Sequence, residues 1–179
     1  YTRGQEDDIY HKALMGLIQR FVEENPNIDQ NRIYVGGCSN GGYMSLKLLI
    51  KNPKYFAAGY ISALAYHNEF VSEEQLLKLK NIPIWFVHSQ DDPTTVADKT
   101  ATPLYKRLKQ IGSKNVHYSL FDRVIDITGQ YGGDSFLYNV HWCLIYLHDN
   151  QVIYEDVKRP GVWRAMPVSI MEWMAAQHK

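Results

Sequence analysis

The chain contains the sequence RIYVGGCSNGGYM at residues 32–44. A β-branched and aromatic run ends at two glycines, a serine follows, and an apolar pattern with helical spacing begins after it. Residues 37–41 match G-x-S-x-G, in which a serine occupies a sharp turn between a strand and a helix. Such a turn exposes the serine hydroxyl, and the flanking glycines let the strand and the helix approach closely. Ser39 is therefore a candidate nucleophile.

Strands and helices alternate on both sides of this turn. The sequence predicts strands at residues 32–36, 56–62, 82–88 and 116–120, and helices at residues 9–22, 41–51, 72–79, 98–111 and from 167 to the C-terminus. The near-continuous apolar run IPIWFVH at 82–88 is typical of a strand buried on both faces. Alternation of this kind predicts an α/β fold, a mainly parallel sheet with helices on both faces.

Three polar residues follow predicted strands and complete a catalytic pattern. Parallel sheets carry their functional side chains in loops at the carboxyl ends of strands. Ser39 follows the first strand, Asp92 the third, and His141 comes after the long loop that leaves the last strand. This is the chain order Ser, Asp, His that G-x-S-x-G hydrolases use. Each residue alone also has a structural interpretation, as a turn serine, a capping aspartate or a packed histidine.

Several short runs carry a resemblance to a known superfamily. They are NRIYV leading into GCSNGG, PIWFVH with an acid four residues after its histidine, YNVHW at 138–142 and IMEWM at 170–174. Together they resemble the α/β-hydrolase superfamily and, within it, esterases related to feruloyl esterases and polyhydroxybutyrate depolymerases. The similarity extends over nearly the whole chain.

The resemblance implies a role for each residue of the triad. Ser39 would be the nucleophile, Asp92 the acid and His141 the base. Asp92 is preferred to Asp91 because the pattern His-Gly-x-x-Asp of these esterases places the acid four residues after His88. A serine stands where that glycine usually is, so the turn differs and Asp91 remains an alternative.

The expected oxyanion hole needs a donor that this sequence does not contain. The backbone N–H of Asn40, the residue after the nucleophile, would donate one hydrogen bond, and the second donor would come from a loop before the first strand. The sequence offers no candidate for that second donor. We expect residues 1–179 to be the C-terminal catalytic portion of a single α/β-hydrolase domain whose N-terminal strands are missing from this sequence. A preceding segment of the same protein would then cover the open edge of the first strand.

The leading functional hypothesis is a serine carboxylesterase that hydrolyses aryl or carbohydrate-linked esters. Tyr43, Tyr66 and Trp142, with Tyr131 nearby, could line an aromatic substrate pocket, although core packing explains these residues equally well. A peptidase of the prolyl-oligopeptidase type, which shares the fold and the triad, is an alternative. A non-catalytic binding module on a hydrolase fold is a third, and the intact order of the three residues argues against it.

Composition narrows the partners and the compartment. A net charge of zero and a pI near 7.2 give no indication of nucleic-acid binding, and no apolar run is long enough for a membrane span. No metal or cofactor is expected. The resemblance implies a secreted or extracellular protein, with a cytoplasmic location still open.

In the tannase and fungal feruloyl-esterase branch a cysteine beside the nucleophile is bridged to one beside the catalytic histidine. Cys143 lies two residues after His141, so a bridge to Cys38 and two separate thiols both remain open.

Overall fold

The computed structural model describes residues 8–152, 154–156, 163–165 and 168–179. The helices are α1 (Asp8–Glu24), α2 (Asn40–Lys51), α3 (Glu73–Leu79), α4 (Ala101–Gln110), α5 (Leu144–His148) and α6 (Ile170–Ala175). The strands are β1 (Tyr34–Cys38), β2 (Ala58–Ser62), β3 (Ile84–Ser89), β4 (Val116–Phe121), β5 (Tyr154–Asp156) and β6 (Trp163–Ala165).

The first four strands form one parallel sheet in the order β1-β2-β3-β4. Cys38 at the end of β1 lies opposite Ser62 at the end of β2, and Ser89 at the end of β3 lies opposite Phe121. The carboxyl ends of the strands therefore meet at one edge of the sheet. Helices connect successive strands, as parallel pairing requires. The predicted α/β fold is confirmed.

Hydrophobic clusters cover both faces of this sheet. All six residues of β3 are buried, and the side chains of its four apolar residues alternate between the two clusters. Ile84 and Phe86 join the cluster that contains the apolar faces of α2, α3 and α4. Trp85 and Val87 join the other cluster, to which α5 and α6 contribute. Helices thus lie on both faces, and β3 is buried because it is central to the sheet.

The structure differs in several places from the elements predicted from the sequence. The first strand begins two residues later than predicted and continues through both glycines, because Cys38 still pairs with Ser62. The predicted helix at 98–111 is a 3-10 turn at Ala97–Lys99 followed by α4, with the irregular backbone of Thr100 (φ −122°, ψ −97°) between them. The antiparallel pair β5-β6 was not predicted, since three-residue strands are too short to show an alternating pattern.

Strand β1 is at an edge of the sheet. It pairs with β2 on one side, and within the described part of the chain no strand pairs with its other side. Its residues are half-buried, except Gly36, which is exposed. None of the described helices is both long and apolar enough to cross a lipid bilayer.

Candidate active site

Ser39 occupies a strained turn between β1 and α2. Its φ of 58° and ψ of −117° lie in a region that side-chain-bearing residues rarely adopt, at a cost of about 1–3 kcal/mol. Backbone hydrogen bonds hold the turn, including one from the Ala65 N–H to the Ser39 carbonyl at 3.3 Å. The Ser39 N–H donates to the Ser62 carbonyl at 3.0 Å, and the Ser39 carbonyl accepts from the Tyr43 N–H at 3.0 Å. Strand and helix therefore fix the serine from both sides.

Close backbone approach at this turn involves Gly37 and Gly42. A Cβ on Gly37 would lie 2.5 Å from the carbonyl carbon of Gly41, and one on Gly42 would lie 2.8 Å from the Ser62 oxygen. A Cβ on Gly41 would meet nothing within 4 Å among the described residues. Both glycines of G-x-S-x-G were expected to need the absence of a side chain. This expectation holds at Gly37, which packs against the Gly41 backbone, and is wrong at Gly41, where a Cβ would have space.

Asp92 and His141 are joined directly. The Asp92 Oδ2 atom lies 2.7 Å from His141 Nδ1, although 49 residues separate the two in sequence. Asp92 is buried in the turn that follows β3, whereas Asp91 is exposed. Because a carboxylate only accepts hydrogen bonds, Nδ1 of a neutral His141 carries the proton and Nε2 is an acceptor. The structure therefore pairs His141 with the acid preferred from the sequence.

The Asp92 carboxylate is held as an anion. Burial by itself would raise the pKa of Asp92, but hydrogen bonds from His141, from the Thr95 hydroxyl and from the Thr94 and Thr95 N–H groups outweigh it and lower the pKa to about 2. The backbone bonds measure 2.8 Å from Thr94 and 3.2 Å from Thr95, and the hydroxyl bond 2.7 Å. The acid therefore stays charged near neutral pH.

His141 is fixed by its neighbours on both sides. It lies in a 3-10 turn at Val140–Trp142, and the Asn139 side chain caps this turn by accepting the His141 N–H at 2.9 Å. After the turn, Cys143 is fully buried and its sulfur lies 3.3 Å from the Ser62 hydroxyl. A polar cap on one side and a buried anchor on the other thus hold the histidine at the sheet edge.

Ser39 and Asn40, the predicted nucleophile and oxyanion donor, lie at the same sheet edge as this pair, because β1 and β3 belong to one parallel sheet. Within the described residues, the Ser39 side chain makes no hydrogen bond to His141. Catalytic hydrogen bonds are commonly long in ligand-free enzymes and shorten when substrate binds. Asn40 is exposed and is the first residue of α2, where N–H groups have no partner inside the helix. Its N–H is thus available to an anion beside Ser39.

The predicted aromatic residues fall into two groups. Tyr43 and Tyr66 are buried in the core, with ring centroids 5.0 Å apart. The expectation that they line a substrate pocket therefore needs correction in favour of core packing. Trp142, beside His141, is 51% exposed. Tyr131 is exposed and its ring lies 5.7 Å from that of Phe136 on the loop that precedes the histidine.

Both cysteines are free thiols in the structure. Cys143 is fully buried, and burial raises the pKa of its thiol to about 12. Burial also raises the pKa of the half-buried Cys38. Of the two possibilities that the sequence left open, the structure has the separate thiols.

Sequence analysis missed three residues that organise the site: Thr94, Thr95 and Asn139. The signal for the threonines was present, because aspartate followed within three residues by proline and threonine is typical of a turn in which the carboxylate accepts backbone N–H groups. Asn139 precedes the 3-10 turn as a side-chain cap.

Comparison with solved structures identifies the fold. Over 97% of its length the chain matches 37% of a thermostable esterase, at 25% identity and a TM-score of 0.65. The fold is that of an α/β-hydrolase. An acylaminoacyl peptidase from Pyrococcus horikoshii matches 76% of this chain over 26% of its own, at 21% identity and a TM-score of 0.54. An acylaminoacyl peptidase in complex with Z-Gly-Gly-Phe-chloromethyl ketone matches 76% of this chain over 25% of its own length, at 21% identity and a TM-score of 0.53.

Sequence comparison adds one partial match. Residues 10–74 match the profile of the prolyl oligopeptidase family, a stretch that includes most of the first helix and the serine turn. No curated protein sequence matches the chain. The chain spans 37% of the length of the thermostable esterase and about a quarter of the peptidases. The hydrolase fold and this family similarity agree with the superfamily expected from the sequence.

Proposed function

We propose that the protein is a serine hydrolase that cleaves carboxylic esters through an acyl-enzyme intermediate. Ser39 is the nucleophile, His141 the base and Asp92 the orienting acid. The observation that carries this proposal is the 2.7 Å contact between Asp92 and His141, at the sheet edge where Ser39 occupies its strained turn. The hydrolase fold and the match to a thermostable esterase support it.

The chemistry follows from the hydrogen-bond pattern. Asp92 holds the proton on Nδ1 of His141, so Nε2 can take the proton of the Ser39 hydroxyl as its oxygen attacks the ester carbonyl. The positive imidazole then lies beside an anion that remains charged. His141 returns the proton to the leaving alcohol, and the C–O bond of the ester breaks. Water activated by the same nitrogen hydrolyses the acyl-enzyme and regenerates Ser39.

The oxyanion is stabilised by the amino end of α2. The Asn40 N–H lies at the first position of this helix, where the helix dipole favours negative charge. The second donor comes from a preceding segment of the same protein in this proposal. That segment, the catalytic portion assigned to residues 1–179 and a secreted location remain predictions from the sequence.

Cleavage of peptides is a second candidate. The match of residues 10–74 to the prolyl oligopeptidase family and the similarity in fold to acylaminoacyl peptidases favour it.

For the leading proposal, an aryl ester is the preferred substrate class because the exposed Trp142 beside His141 offers an aromatic face to the acyl or leaving group. The feruloyl-esterase resemblance agrees with this substrate class and remains a prediction.

A labelling experiment tests the proposal on the complete natural polypeptide. A fluorophosphonate should form an adduct on Ser39, and Ser39→Ala should abolish labelling and lower kcat/KM by about 10³-fold or more. Asn40→Ala is a matched control in the same turn, since it keeps the backbone N–H and should retain labelling. Hydrolysis of p-nitrophenyl acetate and p-nitrophenyl esters of aromatic acids is then compared with that of aminoacyl anilides.

Each outcome bears on a separate part of the proposal. Absence of an adduct in the folded polypeptide would overturn the catalytic function and favour a binding module. An adduct with faster cleavage of anilides than of esters would replace the esterase by a peptidase. An adduct with a preference for esters of aromatic acids supports the proposal in full.

A further inference from the structure

Thr95 uses all three of its polar groups to hold the loop that carries the acid. Its N–H donates to Asp92 Oδ1 at 3.2 Å, and its hydroxyl donates to Asp92 Oδ2 at 2.7 Å. Its carbonyl oxygen accepts a hydrogen bond from His88 Nε2 at 2.6 Å. Thr95 is 4% exposed and His88 is fully buried. Water therefore has little access to replace any of these bonds.

The Thr95 hydroxyl binds the same carboxylate oxygen as the catalytic histidine. Oδ2 of Asp92 accepts from the Thr95 hydroxyl and from His141 Nδ1, each at 2.7 Å. Oδ1 accepts the Thr94 and Thr95 N–H groups. These four bonds use the four acceptor sites of a carboxylate. Rotation of the carboxylate away from His141 would break the hydroxyl bond as well, so the hydroxyl keeps Oδ2 directed at the histidine.

We propose that Thr95 is a positioning residue for the Asp92–His141 pair, and that His88 in turn fixes Thr95. The inference rests on the proposed function, because it assigns Thr95 and His88 to the acid of that triad. Neither residue touches the reacting atoms in this scheme. Both act through the orientation of the Asp92 carboxylate.

The chemistry of His88 suits this role. A carbonyl oxygen only accepts, so the proton on His88 must be on Nε2. Nε2 lies 3.7 Å from Asp92 Oδ2, beyond hydrogen-bond distance, and so leaves the carboxylate to Thr95 and His141. Its Nδ1 atom is buried and has no hydrogen-bond partner among the described residues. Burial lowers the pKa of His88, which keeps this ring neutral. The imidazole is thus an uncharged donor to Thr95, since its Nε2 atom lies 2.6 Å from the Thr95 carbonyl oxygen and 3.3 Å from the Thr95 hydroxyl oxygen.

Two matched pairs of variants test the proposal in the complete natural polypeptide. Thr95→Val removes the hydroxyl and keeps the shape of the side chain, whereas Thr95→Ser keeps the hydroxyl. We expect Thr95→Val to lower kcat about 10- to 100-fold, the range for a hydrogen bond to a charged group, with KM within about twofold. Thr95→Ser should stay within about threefold of the wild type. His88→Leu should lower kcat, and His88→Gln, which keeps an N–H donor, should restore most of it.

A spectroscopic measurement tests the same geometry without any turnover. In protein labelled with ¹⁵N-histidine, the Nδ1 proton of His141 should give a downfield NMR signal protected from exchange with water. The signal should persist in Thr95→Ser and broaden or disappear in Thr95→Val. A merely structural contribution of Thr95 to the loop would lower the melting temperature and leave this signal and kcat of the folded fraction unchanged.

The outcomes separate this inference from the proposed function. A reactive wild type whose kcat and Nδ1 signal are the same in folded Thr95→Val would overturn the inference and leave the hydrolase intact. An unreactive wild type whose Nδ1 signal still depends on the Thr95 hydroxyl would overturn the proposed function and support the positioning geometry. If Thr95→Val does not fold, the His88 pair decides. Equal kcat values and equal Nδ1 signals in His88→Leu and His88→Gln would then contradict the inference.

Discussion

Asp92 is a buried carboxyl group that remains charged because its surroundings supply donors. Removal from water disfavours the anion, as it does for any buried acid. Four hydrogen bonds, two from backbone N–H groups and two from side chains, reverse this effect and lower the pKa to about 2 from the usual 3.8. The loop therefore supplies the donors that keep Asp92 charged, in addition to placing it beside His141.

This lowered pKa predicts an acid-dependent contribution of Asp92 to stability. The folded-state pKa lies below the unfolded value, so the contribution is complete above about pH 4 to 5 and is lost as the pH falls toward 2. The difference between the two pKa values corresponds to about 2 to 3 kcal/mol. Urea unfolding of the wild type and of Asp92→Asn between pH 2 and 5 measures it. The stability gap between the two proteins should shrink as the pH falls.

Other carboxylates do not interfere with this comparison. Asp126 also has a pKa lowered to about 2, chiefly by the Thr128 hydroxyl, but it is present in both proteins and its effect cancels in the difference. A stability gap that stays constant from pH 5 to pH 2 would show that the Asp92 pKa is the same in the folded and unfolded states.

At the level of elements, the unit formed by β1, the serine turn and α2 depends on backbone approach. We expect Gly37→Ala and Gly42→Ala to lower the free energy of unfolding by about 1 to 3 kcal/mol, since each new Cβ would come closer than 3 Å to a backbone atom. Gly41→Ala is the matched control. It should change stability by less than about 1 kcal/mol, and a helix-favouring side chain can make it stabilising.

Denaturant unfolding of the three variants measures these differences, and a fluorophosphonate shows whether the turn survives. Equal stability losses in all three variants would mean that the flexibility of glycine in the unfolded chain dominates over contact at the turn. A loss confined to Gly41→Ala would contradict the observed geometry directly.

The elements also show how much the sequence could predict. The strand, turn and helix around Ser39 were predictable because their signals are local: glycines at fixed offsets and a change in hydrophobic period. The pairing of Asp92 with His141 followed from the rule that functional loops gather at one sheet edge. The hydrogen bond from the Thr95 hydroxyl to Asp92 could not be predicted from the sequence, because a hydroxyl three residues after an aspartate can form many other hydrogen bonds. Burial of Tyr43 and Tyr66 likewise depends on packing between α2 and the loop that follows β2, which the local pattern does not encode.

Loop structure was the least predictable part. The glycine-rich segment before His141 is organised by the Asp126 carboxylate, whose Oδ2 accepts the Tyr131 and Gly133 N–H groups at 2.6 and 3.2 Å. Asp126 also accepts the Thr128 hydroxyl at 2.6 Å. A single buried acid thus gives shape to a segment that reads in sequence only as a loop.

At the level of the whole molecule, one side of β1 has no paired strand among the residues that the structure describes. Exposed strand edges carry unpaired N–H and C=O groups and invite pairing with another chain. The thermostable esterase extends over much more sequence than this chain, which matches 37% of it. We propose that a preceding strand of the same polypeptide pairs with β1, as the sequence led us to expect, and that this segment supplies the second oxyanion donor.

The direction of the backbone groups makes this proposal testable residue by residue. The Ala57 N–H donates to the Ile33 carbonyl at 2.8 Å, and Ser39 donates to Ser62, so odd-numbered residues of this segment face β2. Successive residues of a strand direct their backbone groups to opposite sides, and the even-numbered amides therefore face the open edge.

Amide hydrogen exchange in the complete natural polypeptide then distinguishes a paired edge from a free one. The N–H groups of Val35 and Gly37 should be protected in either case, because they pair with β2, and they are the internal control. Those of Tyr34, Gly36 and Cys38 should be protected to a similar degree only if a strand covers the edge. Protection that falls and rises with protein concentration would indicate a second copy of the chain as the occupant. Fast exchange at these three amides, together with slow exchange at Val35 and Gly37, would show that β1 is a true edge strand. The second oxyanion donor would then have to come from a loop that makes no strand contact with this sheet.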